Sequence, residues 1–166
     1  MFHSYKLFWL NFFKLNGRSR RRDFWWPFLI NSVIEILLSA VANIFENFNA
    51  HGELISTIIY DLVILILNIG TFTLSVRCFY DIGMTKMFPV FHLVLVLLPF
   101  LDDVTGYFIN QMHLAHNSLF VNIYGGVLIA YVIVFLIASF IALAYCGADS
   151  EKGFNKYGPN PKPIYE

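Results

Sequence analysis

Charge is what this chain has least of. Of its 166 residues only 13% are charged, while 58% are hydrophobic. Soluble domains carry about 25% charged and about 45–50% apolar residues, so the apolar excess here calls for lipid rather than water around it. Cysteine is scarce as well. Cys78 and Cys146 show neither metal-ligand spacing nor a secreted disulfide framework, and they are expected as free thiols at helix ends, kept reduced on a cytoplasmic face. Also missing are Gly-x-Ser-x-Gly, the P-loop and His-Glu-x-x-His, which leaves nucleophilic, phosphoryl-transfer and zinc-hydrolase chemistry without their usual residues. His113 and His116 stand three apart but lack a third ligand, so no metal or cofactor is predicted. Tyr60-Asp61 matches half of an aspartyl intramembrane protease site, and the Gly-x-Gly-Asp half is absent. These absences argue against an enzyme.

What is present begins with NGRSRRRDFWWPF at Asn16 to Phe28, where four arginines directly precede two tryptophans and a long apolar run. Arginines hold a helix end on the cytoplasmic side, and indole rings rest at headgroup level. Placed there, the basic run predicts a lipid bilayer with anionic lipid headgroups as its partner and no nucleic acid. Before it, residues 1–16 are too short and too often broken by Lys6, Asn11 and Lys14 to span a bilayer. With Tyr5, Phe8, Trp9, Phe12, Phe13 and Leu15 on one side, they predict an interfacial amphipathic helix.

Four apolar stretches follow, at about 24–45, 54–76, 84–101 and 120–145, and a span of the bilayer core takes about 20 residues. Asp23 can cap the first, with Pro27 in its first turn. The third is marginal, with Pro89 and Pro99 near its ends. With four spans, all eleven Lys and Arg residues fall on one side, whereas the loops 46–53 and 102–119 carry none. The expected fold is therefore all-α: a single domain, 1–166, forming an integral membrane four-helix bundle. Both termini are then cytoplasmic and 146–166 is a short cytoplasmic tail.

Polar residues inside spans are costly and mark function by default. Asn31 and Glu35 share a stripe on the first span, and Asp61 and Asn68 share one on the second. From the predicted boundaries Glu35 lies about 16 Å and Asp61 about 20 Å above the inner face, so the two acids are expected within reach of each other. Two readings of the stripes are open, interhelical hydrogen bonding or an ion path. His92 in the third span is expected to bond a neighbouring helix.

Three cytoplasmic pieces complete the pattern: GRSRRRDFWW at 17–26, VRCFYDIG at 76–83 and GFNKYGPNP at 153–161. Together they resemble the bacterial inner-membrane DUF805 family. Gly17, Arg18, Arg21, Phe24 and Trp25 match its first motif, with Asp23 standing for Glu. Arg77, Asp81 and Gly83 match the second, where Cys78, Phe79 and Tyr80 replace Arg-Leu-His. Gly153, Asn155, Tyr157, Gly158 and Pro161 match the third. The resemblance implies a small membrane protein without an assigned activity. Read by themselves, Arg77 and Asp81 form an i, i+4 pair at a helix end. The arginines of 17–26 are expected to meet Asp81, Asp149 and the tail carbonyls, or lipid phosphates, in a shared cap. A non-enzymatic scaffold or accessory subunit, with a membrane-protein partner or as a homo-oligomer, is the first functional reading. A small transporter or channel component using Glu35 and Asp61 is the second, and an enzyme acting on lipid headgroups the third.

Overall fold

A computed structural model describes residues 1–46, 50–101 and 118–161. The described residues are helical: α1 (Phe2–Leu10), α2 (Arg21–Glu46), α3 (Ala50–Asp81), α4 (Met87–Leu97), followed by a 3-10 turn (Leu98–Leu101), and α5 (Ser118–Gly147). Three of these helices are long and apolar enough to cross a membrane, over Arg21–Ile44, Ile58–Asp81 and Leu119–Gly147. The third predicted span is shorter than 84–101. Helix α4 has 11 residues, about 16 Å of rise, and Pro99 lies in the 3-10 turn that follows. Residues 47–49 and 102–117, with His113 and His116, and the chain after 161, with Lys162, lie outside the described residues.

Contacts group the chain into two compact units, one formed by Met1–Lys86 with the chain from Tyr145, the other by Met87–Ala144. In the first, α1 and α2 both pack on α3. Only 11% of the α2 window is buried against 44% for α3, which makes α3 the central helix of this unit. The burial is inverted relative to a soluble protein. On α2 it is Asn31 that faces inward, at 3% exposure, while Val33, Ile36, Leu37 and Ile44 lie outside. Outward aliphatic and inward polar residues are what a helix surrounded by lipid requires.

Two local departures from the sequence reading have physical causes. Helix α1 stops at Leu10 instead of running to Leu15. The Asn11 side-chain amide donates to the Leu7 carbonyl at 2.8 Å, as its own N–H does at 3.1 Å, so the side chain competes for the helix acceptor. The wheel drawn past Asn11 therefore fails. Phe8 is buried, whereas Phe13 and Leu15 are exposed. Helix α2 begins at Arg21, which moves Pro27 from the first turn into the second, where it has no N–H to give the Asp23 carbonyl.

In the second unit, His92 meets Ser139 at 3.0 Å and stacks on Phe135. Pro99 cannot donate to the carbonyl four residues earlier, Leu95, and the Tyr131 hydroxyl supplies that hydrogen bond at 2.9 Å. Removing it with Tyr131→Phe strands a backbone acceptor. We expect a loss of about 1–3 kcal/mol in thermal or denaturant unfolding.

Candidate functional site, the Arg18 cap

The end of α3 dictates what surrounds it. A helix leaves its last carbonyls without intrahelical donors, and its C-terminal dipole favours a cation. Gly83, at φ +76°, closes the helix by a Schellman turn: Met84 N–H donates to Phe79 O at 3.0 Å and Gly83 N–H to Tyr80 O at 3.2 Å. The helix-end carbonyls are also met from a distance in sequence. Glu151 N–H donates to Asp81 O at 2.9 Å, and the Asn155 amide donates to Tyr80 O at 2.9 Å.

Arg18 joins these pieces. Gly17, at φ +91°, turns the chain out of α1 and presents the next side chain to the α3 terminus. Arg18 Nε pairs with Asp81 Oδ1 at 2.9 Å, and the two side chains are 1% and 3% exposed. Its Nη1 donates to Gly153 O at 3.0 Å and Gly158 O at 3.2 Å, and its Nη2 to Asp81 O at 3.1 Å and to Glu151 O. One planar guanidinium thus binds the helix end and the tail at once, which a point-charge ammonium could not do.

The tail is shaped to receive it. Asn155 and Gly158 exchange backbone hydrogen bonds at 3.1 and 3.0 Å, and Tyr157 N–H caps Asn155 Oδ1 at 2.9 Å. Tyr157 then stacks on Tyr80 with ring centroids 3.7 Å apart. Arg21 holds the C-terminal end of α5 by donating to Gly147 O at 3.0 Å, and it pairs with Asp149.

The remaining candidates are placed differently. Asp23 accepts from Ser4 at 2.7 Å and ties α1 to α2, while Trp25 packs between Phe24 and Phe28. Pro161 borders a cleft beside α1. Arg77 does not pair with Asp81. Its Nε points back to Thr73 O at 3.4 Å and its Nη2 has no partner, because Arg18 already occupies the carboxylate. Cys78 and Cys146 are both free and buried. Ser4, Glu151 and Asn160 belong to the network without having been predicted. Glu151 works mainly through its backbone, which carries no signal in side-chain identity.

The intramembrane stripe is only partly brought together. Asn31 donates to Thr71 at 3.3 Å across the α2–α3 contact, and Asn68 bonds Ile64 O in its own helix. With α2 and α3 antiparallel, the Asn31–Thr71 register sets Glu35 level with Leu67, which puts Asp61 six residues, about 9 Å, farther along the axis. That axial offset separates the two acids, which the sequence reading expected within reach of each other. Among the described residues no group of three or more His, Cys, Asp or Glu side chains gathers as a metal would need.

No curated protein and no solved structure shows a match to this chain. The family described as "Protein of unknown function (DUF805)" matches over residues 12–159, a stretch that holds α2 to α5, the first two motifs, the third as far as Pro159 and almost every contact of the cap, and the chain belongs to that family.

Proposed function

We propose that this protein is a non-enzymatic, multi-pass scaffold or accessory subunit of the bacterial inner membrane, and that its Arg18 cap forms a rigid cytoplasmic face for a membrane-protein partner or a second copy. The observation that carries this reading is the use of Arg18. All its donor nitrogens bind the protein's own helix end and tail, so the group builds a platform instead of working on a substrate. Asp81 and Gly147 are both bonded to arginines of the same short segment, which supports reading them on one membrane face with an even number of crossings between them. In this reading there are four crossings with both termini on the basic side, as the one-sided placement of Lys and Arg suggests. The exposed Phe2 at the start of α1 and Phe13 beyond its end suit the lipid interface at that level.

A second reading, transport through the α2–α3 polar stripe, draws on Asn31 Oδ1, which is buried without a partner one turn from Glu35. One pair of experiments separates them. A photo-crosslinking residue at Phe154, 80% exposed on the cap, should give a discrete protein adduct in cells. Reconstituted wild-type protein should show no flux above empty vesicles. A proton or cation flux that Glu35→Gln or Asp61→Asn abolishes would replace the scaffold reading with the transport one.

A further inference from the structure

Beside the cap, and sharing Arg18 with it, a cleft of about 320 Å³ opens between α1, the 14–20 segment, the start of α2 and the end of α3. Five cations line it, Lys14, Arg18, Arg20, Arg22 and Arg77, against the single acid Asp23. Arg18 is spent on Asp81 and the tail. Asp23 accepts from Ser4 and attracts the Arg77 guanidinium across the cleft, but among the described residues the two form no direct ion pair, which leaves Arg77 Nη2 unbonded.

Arg77 is the anomaly. It is 7% exposed, its Nη2 is buried without any hydrogen-bond partner, and its one side-chain bond, to Thr73 O, is long at 3.4 Å. A buried guanidinium with open donors is costly to leave unmatched. Its backbone is not loose, because its own carbonyl accepts from Ser19 N–H at 3.2 Å and fixes the wall of the cleft. The positive end of the α2 dipole lies at the same wall, although the Asp23 and Phe24 N–H groups of its first turn already donate to Arg20 O.

From these observations we infer that the cleft binds a phosphate-bearing anion, with Arg77 as its buried contact and Lys14, Arg20 and Arg22 as its rim. A guanidinium fork suits phosphate oxygens in a bidentate way, and the volume suits a headgroup rather than a macromolecule. Trp25 and Trp26, directly after the rim arginines, set this level of the chain at the headgroup layer. A phospholipid headgroup is the source this placement favours, and a free phosphate is the other. This inference does not depend on the scaffold reading.

The test uses full-length protein in a neutral detergent, its unfolding followed by tryptophan fluorescence during titration with short-chain phosphatidylglycerol, phosphatidylcholine or inorganic phosphate. Phosphatidylglycerol should raise the wild-type midpoint saturably. Arg77→Lys should weaken the apparent affinity about tenfold by losing the fork, and Arg77→Gln should abolish the response. Inorganic phosphate acting at the same concentration identifies a free phosphate as the source. No response only to that salt identifies the lipid. Should Arg77→Gln fail to fold, Lys14→Gln with Arg22→Gln removes two charges from the rim and must weaken binding at least tenfold. Lys152→Gln with Lys156→Gln removes two charges elsewhere and must not. A wild type that responds to none of the three ligands, an Arg77→Gln variant that responds as wild type, or equal losses in the two double variants overturns the site.

Discussion

Replacing Arg18 by Gln should cost about 3–5 kcal/mol, the largest loss expected of any single side chain here, because it leaves Asp81 as a buried carboxylate without its cation. The same change strips hydrogen bonds from the carbonyls of Asp81, Glu151, Gly153 and Gly158, so the tail should come away from α3. Arg18→Lys should recover little. Its ammonium keeps the charge but cannot reach acceptors spread around a planar fork. Asp81→Asn should be milder, at about 1–3 kcal/mol, since Arg18 keeps its carbonyl partners and no charge is stranded without compensation. The exchange Arg77→Asp with Asp81→Arg should rescue nothing, because the residue that answers Asp81 is Arg18. Thermal midpoints in mild detergent check the series, and an Arg18→Lys protein as stable as wild type would show that the fork is not what holds the cap.

Gly70→Val should release α1. A Cβ at Gly70 would stand 2.5 Å from Phe8 Cζ and 2.6 Å from Phe12 Cε2, both closer than carbon atoms approach. Ring ends can swing, but Phe8 is 1% exposed and packed among the rings of Tyr5, Trp9 and Phe12. Overpacking of this kind costs about 1–3 kcal/mol, and the weakest attachment yields first. That attachment is α1, held to α3 through these rings and the 2.7 Å bond from Thr73 to Phe12 O. Limited proteolysis should cut the variant within residues 1–16 while the helix α2–α3 pair survives. Combining the milder Gly70→Ala with Phe8→Leu, which removes the clashing ring end, should restore part of the protection. A Gly70→Val protein as resistant as wild type would mean that α1 is free to shift without cost.

Much of this was legible before any coordinates, and the pattern of successes follows the physics. Apolar runs near Phe24, Leu54 and Phe120 predict long helices because about 20 consecutive apolar residues leave few alternatives. The three basic or glycine-rich pieces predict a shared cap because they contain unlike charges, turn residues and aromatics on one side of the spans. What sequence spacing could not supply was partner choice. Arg77 and Asp81 have ideal i, i+4 spacing on α3, yet Asp81 is taken by an arginine 63 positions away, which also reaches the tail. Local pairing on a helix is worth a few tenths of a kcal/mol, so a better tertiary partner displaces it. Glu35 and Asp61 failed for a different reason. Their depths were counted from predicted helix ends, and α3 runs to Asp81 rather than Val76, which moves Asp61 by about 8 Å. Backbone-mediated roles such as that of Glu151 carry no side-chain signature at all.

The central claim is that the lead-in arginines, the end of α3 and the tail form one locked assembly. Amide hydrogen exchange across the tail of the full-length protein tests it most directly. The account predicts that the amides of Glu151, Asn155 and Gly158, each bonded to a backbone carbonyl, exchange slowly in wild type, and that Arg18→Gln returns all three to unprotected rates while amides in the middle of α3 stay protected. A wild-type tail that exchanges as fast as a free peptide, or one whose protection survives Arg18→Gln unchanged, contradicts it.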